Sequence, residues 1–323
     1  MYECLLPFGD PCFFEGKYVE DKIYPLYIQR ITCVFKLKKD KIPTIQIKHR
    51  QFIDNEYLTS SNDEVVALTL TNVDLKLFLE QYDVEELVYH CGWKFKAMHG
   101  LFKDYIDKWI RIKNESTISG NKGMRQIAKI MLNSLYGKFA TGLDVQSKIP
   151  YLENDIVKYK LGEKETKDGV YLPLGVFVTA YARERTIRTS QSIKTYSINK
   201  YGKDLYYYSD TDSIHTGLPI EELKQFCDID DVKLGFWKHE SHFTRARFVR
   251  QKTYIEEIDG KMNITCAGLP KRCYEQVDWN NFKVGLKVNG KLNLKHVKGG
   301  INLIEEEFTI KEDKRLIKAI KNM

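Results

Sequence analysis

The sequence has few of the features that mark secreted, zinc-binding or membrane-spanning proteins. Its 323 residues include seven cysteines, an odd number, and no C-x-x-C pair. Neither a disulfide framework nor a structural zinc site is therefore expected. No apolar run approaches the roughly 18 residues that indicate a transmembrane helix, and the N-terminus has neither a basic region nor an apolar signal core. We expect a protein of a reducing cytoplasm with no role in a membrane.

A strong excess of positive charge is also missing. Lysine and arginine number 51 against 44 acidic residues, a formal net charge of +7. Affinity for nucleic acid would therefore have to come from local basic clusters and not from the overall charge. The sequence shows no internal repeat and no low-complexity linker, and its length suffices for two or more domains with a sizeable core.

The most informative segment that is present is 207–215, Tyr-Tyr-Ser-Asp-Thr-Asp-Ser-Ile-His. Its composition predicts two short strands joined by a tight turn, with Gly217 just beyond the second strand. Asp210 and Asp212 would stand at the tip, where two neighbouring carboxylates favour a hard cation such as Mg²⁺. Two metals about 4 Å apart can hold both the attacking and the leaving oxygen of a phosphoryl transfer. A solvated polar turn is the alternative, since Asp, Thr and Ser are common turn residues.

A second pattern lies in residues 124–139, which have helical periodicity. Arg125, Lys129, Asn133 and Tyr136 recur at spacings of four, four and three and therefore share one helix face. The cations suit phosphates, and the tyrosine ring suits a sugar or base. This face predicts a nucleoside triphosphate site. An amphipathic surface helix with solvated charges is the alternative.

The remaining periodicity predicts an alternation of strand-rich and helical blocks. Asp74 is expected to cap the short helix within the first block. Residues 4–101 are predicted to be strands, with one short helix at 75–81. A helical hairpin follows at 102–139, interrupted at 114–123, and then a β-hairpin whose turn is 153–155. A long helix is predicted at 176–199, and further strands within 232–268.

These segments together resemble a known enzyme family. KIMLNSLYGKF at 129–139 and YSDTDSIH at 208–215 resemble the second and third polymerase motifs of family B DNA polymerases. Lys252-Thr253-Tyr254 resembles the Lys-x-Tyr primer-binding signature of that family, and Thr179–Arg183 resembles a further DNA-contacting segment. GLFKDYIDKW, LGEKETKD, HESHF and RQKTYI are similar to the protein-primed branch found in small phages and linear plasmids. The resemblance extends from residue 1 almost to residue 310.

The resemblance implies an α+β fold of the right-hand polymerase type, with palm, fingers and thumb and two β-rich insertions. It also implies that a priming protein contacts the first insertion. The expected domains are 1–101, palm remnant and first insertion; 102–139, fingers; 140–170, second insertion; 171–275, palm; and 276–323, thumb.

The resemblance further implies roles for single residues and the identity of partners. Asp210 and Asp212 would be catalytic and bind two Mg²⁺ ions. The implied nucleotide-binding residues are Lys113, Arg125, Lys129, Asn133 and Tyr136, and the implied DNA-binding residues are Thr179, Arg183, Lys252 and Tyr254. Arg125 stands where a lysine is expected, which keeps the charge but changes the hydrogen-bond geometry. The expected partners are primer-template DNA, dNTPs and a terminal protein that supplies the priming hydroxyl.

One part of the family pattern is not found. Family members carry a first motif, an Asp followed by Ser-Leu-Tyr-Pro, immediately upstream of a stretch resembling Met1–Pro7. Ser-Leu-Tyr-Pro does not occur in this sequence, and the preceding 3′–5′ exonuclease domain is also missing. We therefore expect the C-terminal part of a polymerase that lacks one metal-binding carboxylate. On one interpretation, this part acts in DNA-templated DNA synthesis. The alternative is a truncated or split DNA-binding remnant, which is non-catalytic by itself and needs an upstream polypeptide for activity.

Overall fold

The computed structural model describes residues 2–48, 55–142, 144–153, 156–166, 169–230, 233–297 and 300–310. Helices and strands are mixed along this part of the chain, which confirms the α+β class. The helices are α1 (Asn72–Gln81), α2 (Lys103–Ile118), α3 (Lys122–Phe139), α4 (Leu172–Tyr201) and α5 (Ile220–Leu223), with a 3₁₀ turn at Lys271–Gln276. The strands are β1 (Leu6–Glu15), β2 (Leu26–Leu37), β3 (Gln46–Lys48), β4 (Asn55–Tyr57), β5 (Val66–Thr71), β6 (Tyr82–Met98), β7 (Asp144–Glu153), β8 (Ile156–Thr166), β9 (Tyr206–Asp210), β10 (Ser213–Thr216), β11 (Arg245–Arg250), β12 (Thr253–Ile258), β13 (Lys261–Cys266), β14 (Lys287–Val297) and β15 (Gly300–Thr309).

The first block forms an antiparallel sheet of order β1-β6-β2-β5, with α1 packed against it. Alternate residues of β2, namely Ile31, Cys33 and Phe35, point into a core that also contains Phe78 of α1. Tyr82 closes this core, and its hydroxyl donates to the carbonyl of Leu58 at 2.8 Å. The predicted strand-rich character of this block is confirmed.

Helix α1 begins earlier than predicted, and its cap is a different residue. Thr71 is the N-cap, because its Oγ1 accepts from the N–H of Asp74 at 3.0 Å. The same hydroxyl lies 2.9 Å from Oδ2 of Asp74. Asp74 therefore sits in the first turn, where its charge suits the positive end of the helix dipole. The prediction that Asp74 caps the helix is wrong. Thr71 takes this position because a threonine hydroxyl, like an aspartate carboxylate, can accept a hydrogen bond from a backbone N–H of the first turn.

Helices α2 and α3 form the predicted hairpin, but their connection is shorter than expected. Only residues 119–121 separate them, so 114–118 remain helical. Asn121 starts α3 sharply, because its side chain accepts from the N–H of Met124 at 3.0 Å. Across the pair, the hydroxyl of Tyr105 donates to the carbonyl of Met131 at 3.1 Å.

Strands β7 and β8 pair antiparallel with Glu153 opposite Ile156, which confirms the second predicted hairpin. Asn154 and Asp155 of its turn lie outside the described residues. The long helix that follows, α4, packs closely against the end of α3. A Cβ at Gly175 would lie 2.5 Å from Cβ of Ala140, so this crossing accepts no larger residue at position 175.

The rest of the chain forms a two-stranded sheet of β9 and β10, the three-stranded sheet β11-β12-β13, and the pair β14-β15. The predicted strands within 232–268 begin only at Arg245, since 233–244 contains no strand beyond one bridging residue, Trp237. Residues 311–323 of the predicted thumb lie outside the described residues. No helix of the described part is both long and apolar enough to cross a membrane.

Candidate active site

The turn between β9 and β10 carries the two aspartates, as predicted. Asp210 ends β9 and pairs with Ser213, the first residue of β10. Thr211 between them has φ of 53°, a left-handed conformation that costs a non-glycine residue about 1–2 kcal/mol. Helix α4 helps to hold this conformation, because Oγ1 of Thr186 donates to the carbonyl of Thr211 at 2.7 Å.

The two carboxylates have different surroundings. Asp210 is partly buried, and its Oδ2 lies 2.5 Å from Nζ of Lys252. Its Oδ1 accepts from the hydroxyl of Thr211 at 3.1 Å. Asp212 is exposed, and within the described residues its carboxylate takes part in no hydrogen bond or ion pair. The charge of Asp210 is therefore balanced by Lys252, whereas the carboxylate of Asp212 is open to solvent.

Lys252 reaches Asp210 from the turn between β11 and β12. It has φ of 56°, and both of its backbone polar groups are hydrogen-bonded. Its N–H donates to the hydroxyl of Tyr208 at 2.9 Å, and its carbonyl accepts from the N–H of Ala267 at 2.8 Å. Burial raises the pKa of Tyr208, so its hydroxyl stays neutral. The structure thus brings Lys252, which the sequence predicts to bind the primer, into contact with Asp210, which it predicts to bind the metal.

An aromatic layer supports this junction. The ring of His215 lies 5.4 Å from that of Tyr208, 5.0 Å from that of Tyr254 and 5.3 Å from that of Phe248, measured between centroids. Nδ1 of His215 is 2.7 Å from Oε1 of Glu256, which is 6% exposed. The predicted primer residue Tyr254 therefore rests on a histidine that a buried carboxylate orients.

Sequence reasoning did not find Thr186, His215 or Glu256. A usable signal existed for Glu256, since it stands two residues after Tyr254 and strand periodicity places both on one face. For His215 the signal was its position in β10, opposite Tyr208 in the register of the hairpin. Nothing in the sequence distinguishes Thr186 from the other polar residues of α4.

The predicted DNA-binding residues of α4 are engaged within the protein. Thr179 and Arg183 are four residues apart and share a helix face. The hydroxyl of Thr179 donates to the carbonyls of Gly175 and Val176 in its own helix, at 3.1 and 2.8 Å. The guanidinium of Arg183 forms an ion pair with Asp74 of α1. Thr179 is exposed and Arg183 is partly exposed, and their contact with DNA stays a prediction.

The predicted nucleotide-binding residues lie on the helical hairpin. Arg125, Lys129, Asn133 and Tyr136 are all exposed on α3, and Lys113 is half-buried on α2. Within the described residues, none of these five side chains makes a hydrogen bond or an ion pair. The helix that places four of them on one face is present, whereas their binding of a triphosphate stays a prediction.

The residues at the turn fit a Mg²⁺ site only in part. Asp210 and Asp212 supply two carboxylates, which are the hard oxygen ligands that this ion prefers. The described part of the chain contains no group of three or more His, Cys, Asp or Glu residues placed to hold a metal ion. The other ligands would have to come from a further carboxylate, from nucleotide phosphates or from water.

The family is established by comparison with known proteins. Residues 1–221 match the family model described as DNA polymerase type B, organellar and viral. The chain is 48% identical to the DNA polymerase of Bacillus phage phi29, with 96% of this chain and 55% of the relative aligned. It is 36% identical to the DNA polymerase of Streptococcus phage Cp-1, over 98% of this chain and 55% of the relative. The chain therefore belongs to the type B DNA polymerases of organelles and viruses.

A solved structure agrees with this assignment. The phi29 DNA polymerase complexed with primer-template DNA and incoming nucleotide substrates superposes with a TM-score of 0.83 at 47% identity. The alignment covers 96% of this chain and 55% of the solved chain. This chain thus spans about half the length of the curated relatives that it matches.

Proposed function

We propose that this chain carries out DNA-templated DNA synthesis as the polymerase part of a protein-primed phage-type enzyme. The contact between Lys252 and Asp210 is the observation that supports this most, because it brings the primer-binding signature and the predicted metal-binding turn within 2.5 Å of each other. A primer 3′-hydroxyl held beside Lys252 and Tyr254 would then lie next to the carboxylates.

Each predicted residue has a role in this proposal. The exposed face of α3 binds the triphosphate through Arg125 and Lys129, with Lys113 adding charge from α2. Asn133 and Tyr136 pack against the sugar and base. Asp210 and Asp212 hold Mg²⁺, which when bound supplies charge neutralisation at the reacting phosphate. Thr179, Arg183, Lys252 and Tyr254 hold the DNA.

The right-hand arrangement is part of the proposal. We assign the fingers to 102–139 and the palm to 171–275, with the thumb in 276–323. The first block, 1–101, is the palm remnant with the first insertion, and 140–170, which contains the β-hairpin, is the second insertion. A terminal protein that primes synthesis is the proposed partner of the first insertion. The phi29 enzyme was solved with primer-template DNA and nucleotides, and we propose the same ligands here.

A primer-extension assay with two proteins tests the function. The first protein is this chain alone, and the second is this chain joined to the part of the phi29 polymerase that it does not match. With a labelled primer-template, dNTPs and Mg²⁺, we expect extension by the chimera and little by the chain alone, because the first-motif Asp that the resemblance implies as the third metal ligand is not found in this sequence. Efficient extension by the chain alone would disprove the need for a further carboxylate.

A non-catalytic DNA-binding remnant is the second candidate. It is favoured by the finding that the described residues contain no group of three or more His, Cys, Asp or Glu side chains placed to hold a metal ion. A remnant would retain primer-template in a gel-shift assay, yet neither the chain nor the chimera would extend the primer. If the chimera extends the primer and Asp212→Asn in its polymerase part abolishes that extension, the hypothesis of a non-catalytic remnant is rejected.

A further inference from the structure

A cavity of about 450 Å³ opens between α1 and the connection from β1 to β2. Of the described residues that line it, two are lysines, three are tyrosines and none is acidic. This composition differs from that of the aspartate turn, and none of the proposed active-site residues lines the cavity. Its volume lies in the range of about 300–1,000 Å³ typical of small-molecule sites.

The cavity uses one face of α1. Asn72, Leu75, Lys76 and Leu79 line it, and their spacing of three, one and three places them on the same side of the helix. Asp74 lies on the opposite side, where it pairs with Arg183 of α4. The cavity therefore faces away from α4 and from the turn that α4 supports.

One wall is aromatic and rigid. The rings of Tyr18 and Tyr27 stack with centroids 3.9 Å apart. The hydroxyl of Tyr18 donates to the carbonyl of Tyr24 at 2.8 Å and accepts from the N–H of Asp21 at 2.9 Å. Its own N–H donates to Oε1 of the buried Gln29 at 3.0 Å. A wall held in this way loses little conformational entropy when a ligand binds.

The positive charge in the cavity is not matched by a carboxylate. Nζ of Lys17 lies 5.1 Å from the centroid of the Tyr89 ring, and Lys76 is exposed. Neither lysine forms an ion pair within the described part of the chain. The nearby Glu80 is already paired with Arg188. Burial raises the pKa of Tyr27, so its phenol stays neutral and does not repel an anion.

Aromatic rings beside unpaired ammonium groups suit a nucleotide, since bases stack on rings and phosphates meet cations. We propose that this cavity binds one nucleotide unit, with the base against Tyr27 and Tyr89 and the phosphate between Lys17 and Lys76. The ligand is either an unstacked nucleotide of a single strand or a free nucleotide. The site is separate from the proposed active site and requires no chemistry there.

Photocrosslinking of the full chain tests this site. One probe is an oligo(dT) 12-mer with a single 5-iododeoxyuridine, and the other is free 5-iodo-dUTP. After irradiation, peptide mapping locates the adducts. We expect an adduct on Tyr27 or Tyr89 with at least one probe, and the probe that reacts identifies the source of the nucleotide. Absence of an adduct at both tyrosines with both probes would overturn the proposal.

Charge variants supply the matched control. Lys17→Glu with Lys76→Glu should lower the adduct yield about tenfold or more by removing phosphate contacts. Lys22→Glu changes an exposed lysine of the same connection that does not line the cavity, and should leave the yield unchanged. Equal yields from the double variant and Lys22→Glu would reject the site. If the two glutamates perturb folding, the double variant Lys17→Gln with Lys76→Gln measures the same loss of adduct yield.

Two further readouts separate this site from the proposed active site. Asp210→Asn should leave the adduct on Tyr27 or Tyr89 unchanged, whatever it does to primer extension. If the oligonucleotide is the probe that reacts, the slope of log affinity against log salt should differ between the wild type and the double variant by about 0.7 for each lost phosphate contact on a single strand. In that case, identical slopes would contradict the placement of the phosphate between the two lysines.

Discussion

The aspartate turn and the exposed face of α3 differ in how far the protein itself holds their side chains. At the turn, Asp210 pairs with Lys252, the backbone of Lys252 bonds to Tyr208, and Thr186 holds the carbonyl of Thr211. On α3, the side chains of Arg125, Lys129, Asn133 and Tyr136 have no hydrogen bond or ion pair within the described residues, and all four are exposed.

This difference has an energetic meaning. Side chains that are hydrogen-bonded in the folded chain have already lost their rotamer freedom, whereas those on α3 lose it only when a ligand binds, at about 0.5–1.5 kcal/mol for each long side chain. Changes at the hydrogen-bonded or ion-paired residues of the turn should therefore alter both stability and rate. Changes on α3 should alter the use of the nucleotide and leave stability almost unchanged.

The largest expected effect is at the carboxylates. In the chimera, Asp210→Asn and Asp212→Asn should each lower the rate of nucleotide addition by about 10³-fold or more, because the charge that holds Mg²⁺ is removed. Their melting temperatures should differ. Asp210→Asn loses the ion pair with Lys252 and should melt lower than Asp212→Asn, which loses no contact. Equal melting temperatures would mean that the contact with Lys252 adds no stability.

The next effect separates the two surfaces directly. Lys129→Ala in the chimera should raise the KM for dNTP roughly tenfold, as expected for the loss of one charge-assisted contact of about 1.5 kcal/mol, and leave primer-template affinity intact. Tyr254→Ala should weaken primer-template retention first. Nucleotide titrations and gel-shift assays on both variants provide the measurement. The comparison fails if the two variants show the same pair of defects.

The buried pair beneath Tyr254 is expected to affect stability. Glu256→Ala leaves His215 without its partner in a nearly closed environment, which should lower the free energy of unfolding by about 1–3 kcal/mol. Glu256→Gln keeps a hydrogen-bond acceptor and should lower it by less. Denaturant unfolding of the three proteins measures this order. A positioning role also predicts that Glu256→Gln restores primer retention lost in Glu256→Ala, which a packing role alone does not.

The smallest effect concerns the support from α4. Thr186→Val keeps the shape of the side chain and removes the hydroxyl that donates to the carbonyl of Thr211 and, at 3.0 Å, to that of Ala182, so the free energy of unfolding should fall by about 1 kcal/mol. Thr186→Ser is the control, since it retains the hydroxyl. If Thr186→Val is as stable as Thr186→Ser, α4 does not stabilise the left-handed turn through this bond.

Local patterns in the sequence predict the elements better than their ends. The helical hairpin, the long helix α4 and the hairpin of β9 and β10 are present where periodicity places them. The errors lie at the ends of elements. The N-cap of α1 is Thr71 and not Asp74, and α3 begins directly after Asn121, so that the connection between α2 and α3 is shorter than predicted. At such positions several residues can make the same local hydrogen bond, and the packing of the element decides between them.

The sequence by itself determined the helical hairpin, the long helix α4 and the β9–β10 hairpin, together with the resemblance to family B polymerases and the residues that carry it. It did not determine which of these residues touch. Lys252 and Asp210 are 42 residues apart, and His215 and Glu256 are 41 apart. Periodicity reports which neighbours share a face, whereas contacts at such separation depend on how the β9–β10 hairpin packs against the sheet of β11–β13. Only the tertiary structure therefore decided that the carboxylate of Asp210 is paired, whereas that of Asp212 has no partner within the described residues.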